Sequence, residues 1–117
     1  MKDIDQWLNE AIARHERLSH YAEQLAAHIQ ALSLNDISDQ CQQMDELWRE
    51  IDETEEKLHQ LLFFLGPDVL DHPLLGVYQQ SLTAAISSTD EVANKARDCR
   101  TSLLDQYTAL DEYHRVS

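Results

Sequence analysis

The chain has 117 residues, enough for one small domain, and its 22 acidic against nine basic side chains give a formal net charge of −13 at pH 7. This charge excludes charge-driven binding to nucleic acid or to an anionic membrane surface, because both would repel the chain. The two cysteines lie far apart in sequence, which is typical of a reducing compartment rather than of a disulfide-stabilised secreted protein.

The composition favours helix over nearly the whole chain. Both glycines and both prolines lie within residues 66–76, and Ala, Leu, Gln, Glu and Asp dominate elsewhere. The longest apolar run, residues 61–65, falls far short of the roughly 18 residues that a membrane-spanning helix needs. The N-terminus mixes both charges and lacks the apolar core of a signal peptide. We therefore predict one all-α domain, residues 1–117, in the cytoplasm.

The first helix is predicted from apolar residues that recur at alternating gaps of four and three, the spacing that places them on one helical face. Asp3 can cap its start, with Gln6 as its capping-box partner. The pattern predicts helix 1 over about 3–32, and the face is apolar except for His15. Its members are Ile4, Leu8, Ala11, His15, Leu18, Ala22, Leu25, Ile29 and Leu32.

The same alternation predicts helix 2 over about 37–65, with Asn35 or Asp36 capping its start. Here the only polar member of the apolar face is Glu55. The regularity of this face predicts that helix 2 is the central helix, with a partner helix on each side. The face consists of Ile37, Cys41, Met44, Trp48, Ile51, Glu55, Leu58, Leu62 and Leu65.

The connection between helices 1 and 2 is so short that the two helices must be antiparallel neighbours. Facing positions then sum to about 69 or 70, which brings the two polar exceptions, His15 and Glu55, opposite each other. Each would be unfavourable alone in a core, and together they can form a charge-assisted hydrogen bond. We interpret them as a buried structural pair that fixes the helix register, because the sequence shows no cleft or further catalytic groups around them.

A third helix is predicted over about 73–114. Gly66 is a natural terminator for helix 2, and Pro73 suits the first turn of the next helix. Apolar residues recur every seven positions along this segment, which predicts one long helix antiparallel to helix 2. Ser88 with Glu91 fits a capping box, so a kink or break near Ser88 is an alternative. The predicted fold is an antiparallel three-helix bundle.

The register leaves the end of helix 3 without a neighbour. Helix 2 begins near residue 37 and faces helix 3 near residue 102, so about 18 Å of helix 3 projects beyond the turn between helices 1 and 2. Exposed apolar clusters usually mark contact sites, and we predict a protein-binding surface here, unless the turn folds over the helix end. We name it the C-terminal surface, and its residues are Leu103, Leu104, Tyr107, Leu110 and Tyr113.

Metal-binding patterns are weak. Glu56 and His59 form one E-x-x-H element, but di-iron bundles use two, and residues 111–114 offer only D-x-x-H. Cys41 and Cys99 lie in one predicted layer but lack the spacing of a zinc site. They are expected as two buried thiols, since packed helix axes lie too far apart for an easy disulfide. We expect no metal, no cofactor and no catalytic residues.

The segment LAAHIQALSLNDISDQCQQMDELWREI, residues 25–51, resembles the flagellar type III export chaperones of the FlgN and FliT kind. Those small acidic proteins have a first helix, a short polar turn and a second helix with a leucine-glutamate repeat. The residues that hold comparable places here are Leu32, Asn35, Asp36, Ile37, Met44, Leu47 and Ile51. The resemblance implies a helical bundle whose C-terminal helix grips an export substrate.

Three functions follow as hypotheses. The first is a cytoplasmic chaperone or adaptor that binds an amphipathic helix of a protein partner, such as a flagellar or type III export substrate, through the C-terminal surface. The second is a self-associating structural bundle, a homodimer in which two copies cover each other's exposed helix ends. The third, and the least favoured, is a metal-binding helical enzyme. None of the three involves nucleic acid or a membrane.

Overall fold

A computed structural model describes the backbone of residues 3–116 and the side chains of residues 3–106, 108 and 109. Three helices, α1 (Ile4–His28), α2 (Leu34–Leu65) and α3 (Pro73–Val116), form an antiparallel bundle, and the described residues contain no strand. The bundle is a rod of 73 × 21 × 21 Å. The predicted all-α three-helix architecture is confirmed. Within the same residues, no helix is both long and apolar enough to cross a membrane.

The start of α1 has the predicted capping box. The Asp3 carboxylate accepts from the backbone N–H of Gln6 at 2.9 Å, and the Gln6 side chain accepts from the backbone N–H of Asp3 at 3.1 Å. The helix ends at His28, earlier than predicted, and residues Ile29–Ala31 form one 3-10 turn. This tighter turn reverses the chain direction within a few residues, so α1 and α2 pack as an antiparallel hairpin.

The second helix begins at Leu34, three residues before the predicted start. Its N-cap is Ser33, whose hydroxyl accepts from the backbone N–H of Asp36 at 3.1 Å, rather than Asn35 or Asp36 itself. A serine cap draws residues 34–36 into the first turn, where the Asp36 carboxylate interacts favourably with the helix dipole. The prediction had the correct kind of cap at the wrong residue.

Gly66 ends α2 as predicted. Its φ of 79° lies in a region that side-chain-bearing residues avoid, and its N–H donates to the carbonyl of Leu62 at 3.1 Å. A 3-10 turn, Pro67–Asp71, follows. His72 then starts α3, because its Nδ1 accepts from the backbone N–H of Leu74 at 3.1 Å. The other ring nitrogen of His72, Nε2, donates to the Asp5 carboxylate and ties this turn to the start of α1.

The central helix is α1, and the prediction that α2 holds this place is wrong. α1 contacts both other helices along its length, whereas α2 and α3 approach each other closely at only a few places. Small residues explain the close approach of α1 and α3, because Ala22 and Ala26 share a cluster with Ala85 of α3. The second helix carries the bulkier Met44 and Trp48 in that cluster. Alternate members of the α2 face are therefore only half-buried, and its last member, Leu65, is exposed.

The core consists of two apolar clusters at successive heights along the rod. The larger surrounds the α1–α2 turn and the middle of the bundle, and the smaller lies towards the α2–α3 turn. The buried members of the larger cluster are Leu18, Ala22, Leu25, Ala26, Ile29, Ile37, Met44, Ile51, Ala85 and Val92. Those of the smaller cluster are Leu8, Ala11, Ile12, Leu58 and Tyr78.

The third helix runs without interruption through Ser88, so the alternative of a break there does not apply. Thr89, the polar residue at its weak point, is buried, and its hydroxyl donates to the carbonyls of Ala85 and Ile86 at 2.9 and 3.1 Å. Ala85 and Val92, one turn away on either side, are fully buried in the larger cluster. Apolar packing above and below therefore holds the polar segment in helical form.

Candidate functional site

A polar group lies between the two apolar clusters and draws on all three helices. His15 of α1, Glu55 of α2, and Tyr78 and Ser81 of α3 form it, and we name it the His15 cluster. His15 Nε2 lies 3.2 Å from Glu55 Oε1, and Nδ1 lies 2.8 Å from the Ser81 hydroxyl. The Tyr78 hydroxyl donates to the same Glu55 oxygen at 2.9 Å. His15 is fully buried, whereas the Glu55 side chain reaches the surface.

The partners of His15 determine where its proton lies. The Glu55 carboxylate only accepts hydrogen bonds, so Nε2 carries the proton and donates to it. Nδ1 of the neutral ring lies 2.8 Å from the Ser81 hydroxyl, whose single proton is shared between this nitrogen and the backbone carbonyl of Tyr78, 2.9 Å away. Burial lowers the pKa of His15, and the hydrogen bond and negative charge of Glu55 offset only part of that effect. The ring is therefore neutral at pH 7.

Burial, followed by the contact with Glu55, raises the pKa of Tyr78 far above its usual value, so its hydroxyl remains a donor at any physiological pH. The rings of Tyr78 and His15 also contact each other in a tilted arrangement, with centroids 5.2 Å apart. The sequence pattern predicted the contact of His15 with Glu55 but not these two contributions from α3. Both residues lie on α3, whose register against α1 the sequence does not specify.

The order Ser81, His15, Glu55 is that of a nucleophile, a base and an orienting carboxylate. Two features oppose catalysis. His15 is fully buried, and Ser81 lies in the interior of α3, where backbone N–H groups are engaged in the helix's own hydrogen bonds and cannot stabilise an oxyanion. We therefore interpret the cluster as a structural device that fixes the mutual register of three helices.

The C-terminal surface begins where α3 passes the α1–α2 turn. Leu103 is half-buried and lines a groove of about 460 Å³ with Leu32, Ile37 and Cys99. Leu104, the next residue, is 56 % exposed. The three other predicted members of this surface lie outside the described side chains. They are Tyr107, Leu110 and Tyr113.

Polar residues border the same groove. Lys95 Nζ donates to the carbonyl of Ala26 at 3.3 Å, in the last turn of α1, and also lies 3.3 Å from Glu91. Asp98 and Gln106 line the groove as well. Lys95 thus ties α3 to the end of α1, immediately before α3 leaves the bundle.

The opposite end of the rod exposes more apolar surface, which the sequence reasoning missed. Phe63 is 91 % exposed, Phe64 84 % and Leu70 74 %, and Leu65 is exposed beside them. We name these four residues the aromatic end. The signal was present in the sequence. Phe63 and Phe64 stand between Leu62 and Leu65, which belong to the apolar face of α2, but they do not lie on that face themselves. Two adjacent aromatic residues off the core face indicate an exposed apolar patch.

The metal-binding hypothesis finds no geometric support in the described part of the chain, where no three His, Cys, Asp or Glu side chains converge as ligands. Glu56 and His59 are both exposed, and the side chains of residues 111–114 lie outside the described set. Cys41 and Cys99 are free, half-buried thiols packed on the larger cluster. Burial, with a smaller contribution from the negative charge of Asp45, raises the pKa of Cys41, which keeps it a thiol.

No protein-family model, no curated protein and no solved structure matches this chain. The candidate binding features among the described residues are two apolar surfaces at opposite ends of the rod: Leu103 and Leu104 of the C-terminal surface at one end, and the aromatic end at the other.

Proposed function

We propose that the protein is a helical chaperone or adaptor that binds an amphipathic helix of a protein partner along the C-terminal surface. One observation supports the proposal most directly. Leu104 is exposed and Leu103 is half-buried at the rim of an open groove, at the point where α3 continues beyond the other two helices. A partner helix placed there would replace the missing neighbour and bury both leucines.

The energetics favour such an arrangement. Complete burial of a leucine side chain stabilises a complex by about 1.5–3 kcal/mol relative to leaving it in water. An isolated helical end gains nothing from apolar residues, whereas a helix that receives a partner gains from each of them. The resemblance to export chaperones suggests a flagellar or type III export substrate as the partner, and the cytoplasm as the place of binding.

Co-purification tests this proposal. The tagged wild type and the double variant Leu103→Gln/Leu104→Gln are purified from the native cell, and bound proteins are identified by mass spectrometry. The matched control, Val77→Gln/Ile86→Gln, removes two exposed apolar residues from another part of the same helix. We expect one partner that the wild type and the control retain and the double variant loses. A double variant that keeps the partner, or that loses helical circular dichroism, would contradict the proposal.

A second candidate function is self-association through the same surface, and the charge distribution favours it. Residues 95–117 contain four basic and four acidic side chains, so this segment is neutral and residues 1–94 carry the entire net charge of −13. Two neutral helix ends can approach each other without the repulsion that the rest of the chain would impose. Light scattering distinguishes the two functions: a dimer that the substitutions at Leu103 and Leu104 convert to a monomer would indicate self-association.

A further inference from the structure

The aromatic end has no role in the bundle. Phe63 and Phe64 belong to neither apolar cluster, and their side chains are almost completely exposed. Their replacement by polar residues would remove no core contact, although keeping two phenylalanines and Leu70 in water favours aggregation. This combination is typical of a surface that is covered by something other than the chain's own helices.

A groove accompanies these residues. It has a volume of about 690 Å³ and lies between the end of α2, the 3-10 turn and the start of α3. Its apolar lining includes Leu62, Phe63, Pro67, Val69, Leu70 and Leu75. An open apolar groove of this volume can accept apolar side chains from one face of an amphipathic helix.

The backbone around the groove is held in place from several sides. The Gly66 N–H donates to the carbonyl of Leu62, and the Val69 N–H donates to the carbonyl of Gly66 at 3.3 Å. His72 joins the end of the turn to Asp5 of α1. The groove is therefore largely formed before anything binds, which reduces the entropy lost on binding.

The charged residues around the groove indicate which class of molecule binds there. Residues 58–94 contain no Lys or Arg, and Asp68 and Asp71 are exposed on the turn that forms one wall of the groove. The nearest cation earlier in the sequence, Lys57, lies over the Trp7 ring at 6.0 Å from its centroid. A second copy would present the same acidic turn and the same net charge of −13, so repulsion opposes its docking here, and anionic lipid would meet the same repulsion. A helix that carries Lys or Arg beside its apolar face is complementary in both respects.

We propose that the aromatic end is a second docking site, which binds a basic amphipathic helix of another protein. The site lies at the opposite end of the rod from the C-terminal surface, separated from it by most of the length of α2, which is about 48 Å for 32 residues. It uses different residues and a different charge pattern, so it does not depend on the function proposed above. With two sites, the protein could hold two partners at once.

The test uses three labelled peptides and fluorescence anisotropy with the full chain. The first peptide is an amphipathic helix of leucine and lysine, the second replaces lysine with glutamate, and the third replaces leucine with serine. We expect binding of the leucine–lysine peptide alone. Equal binding of the serine–lysine peptide would overturn the proposal, since it would show that charge suffices without the apolar groove.

Variants locate the site. Phe63→Ser/Phe64→Ser, and separately Leu70→Gln, should weaken binding of the leucine–lysine peptide about tenfold or more. The controls Val77→Gln/Ile86→Gln and Leu103→Gln/Leu104→Gln should leave it unchanged, which separates this site from the C-terminal surface. Circular dichroism checks that every variant stays helical. Unchanged affinity in both aromatic-end variants would overturn the proposal whatever happens at the other end.

Two further measurements test whether the groove binds a basic helix rather than a second copy or lipid. Asp68→Asn/Asp71→Asn should weaken binding severalfold and reduce its dependence on salt, because screening acts on the aspartate contacts. Light scattering of the wild type and of Phe63→Ser/Phe64→Ser should give the same molecular mass. A dimer that only the wild type forms, or wild-type binding to phosphatidylglycerol vesicles that the variant loses, would assign the surface to a second copy or to lipid and overturn the proposal.

Discussion

His15 of α1 and Glu55 of α2 lie 40 residues apart in sequence, and their side chains meet at 3.2 Å inside the bundle. The pair is held from the third helix as well, because Tyr78 donates to Glu55 and Ser81 contacts His15. The hydrogen bonds around one buried imidazole therefore depend on the packing of all three helices.

Acidification should weaken the wild type through His15. Burial lowers its folded-state pKa below the unfolded value of about 6.5, so at intermediate pH the unfolded chain binds more protons. Its contribution to stability is complete above about pH 6.5 and is lost as the pH falls through the lower folded pKa. Urea midpoints measured from pH 7.5 downwards should show the loss in the wild type.

A comparison of variants isolates this effect, because acidification also relieves the repulsion within an acidic chain. His15→Gln keeps polar atoms at the site but cannot take up the proton, so it should lack the component of the pH dependence that comes from His15. His20→Gln, at an exposed position of the same helix, should behave as the wild type. Identical pH profiles for the wild type and His15→Gln would contradict the assignment of a lowered pKa.

Removal of the Glu55 acceptor should destabilise the protein. In Glu55→Leu the Nε2–H of His15 and the Tyr78 hydroxyl both lose their partner, and each unsatisfied buried group costs about 1–3 kcal/mol. Glu55→Gln retains an acceptor oxygen and should lose less. Glu56→Leu, one residue away and exposed, is the control. The free energy of unfolding in urea measures the difference, and equal values for the two leucine variants would show that the cluster contributes nothing.

The two glycines should respond oppositely to alanine. Gly66 has a φ of 79° and a ψ of −165°, a backbone region that essentially only glycine occupies, so Gly66→Ala should lower the free energy of unfolding by about 1–3 kcal/mol although open space surrounds the position. Gly76 lies inside α3 with nothing near its missing Cβ, so Gly76→Ala should raise stability by about 0.5–1 kcal/mol. Thermal and urea unfolding of the two variants give the signs, and a shared sign would contradict this account.

Ser33 should be the N-cap that determines where α2 begins. Ser33→Ala removes the acceptor for the Asp36 N–H and should destabilise the protein by about 1 kcal/mol. Ser38→Ala, at an exposed position inside the same helix, should be neutral or slightly stabilising, since alanine is the better helix former. If α2 instead started at Ile37, as the sequence pattern predicted, the two variants would behave alike.

The sequence predicted the features that depend on periodicity. A face repeating every three and four residues, together with a short polar turn, determines two antiparallel helices and their register, and so the meeting of His15 and Glu55. The identity of the central helix depends on something else. All three helices have apolar faces, and the close approach of α1 and α3 follows from the small side chains of Ala22, Ala26 and Ala85, which add little to a hydrophobic pattern.

Only one of the two candidate surfaces was proposed from the sequence, for a related reason. Register arithmetic pointed to the end of α3 because a length mismatch can be read from helix boundaries. It could not identify Phe63 and Phe64, because a search for residues on a common face treats everything off that face as solvent-exposed and polar. The contribution of Ser81 to the His15 cluster requires the register of α1 against α3, which no short connection specifies.

The position of the His15 cluster between the two apolar clusters has a consequence for local unfolding. A polar layer interrupts the apolar contact that would otherwise run along the whole rod, so each end has its own smaller unit of packing. The unit beside the aromatic end has the fewer buried residues and should open more often. Amides of α2 near Leu58 should therefore exchange with deuterium faster than those near Met44, and a helix bound at the aromatic end should slow the first set alone.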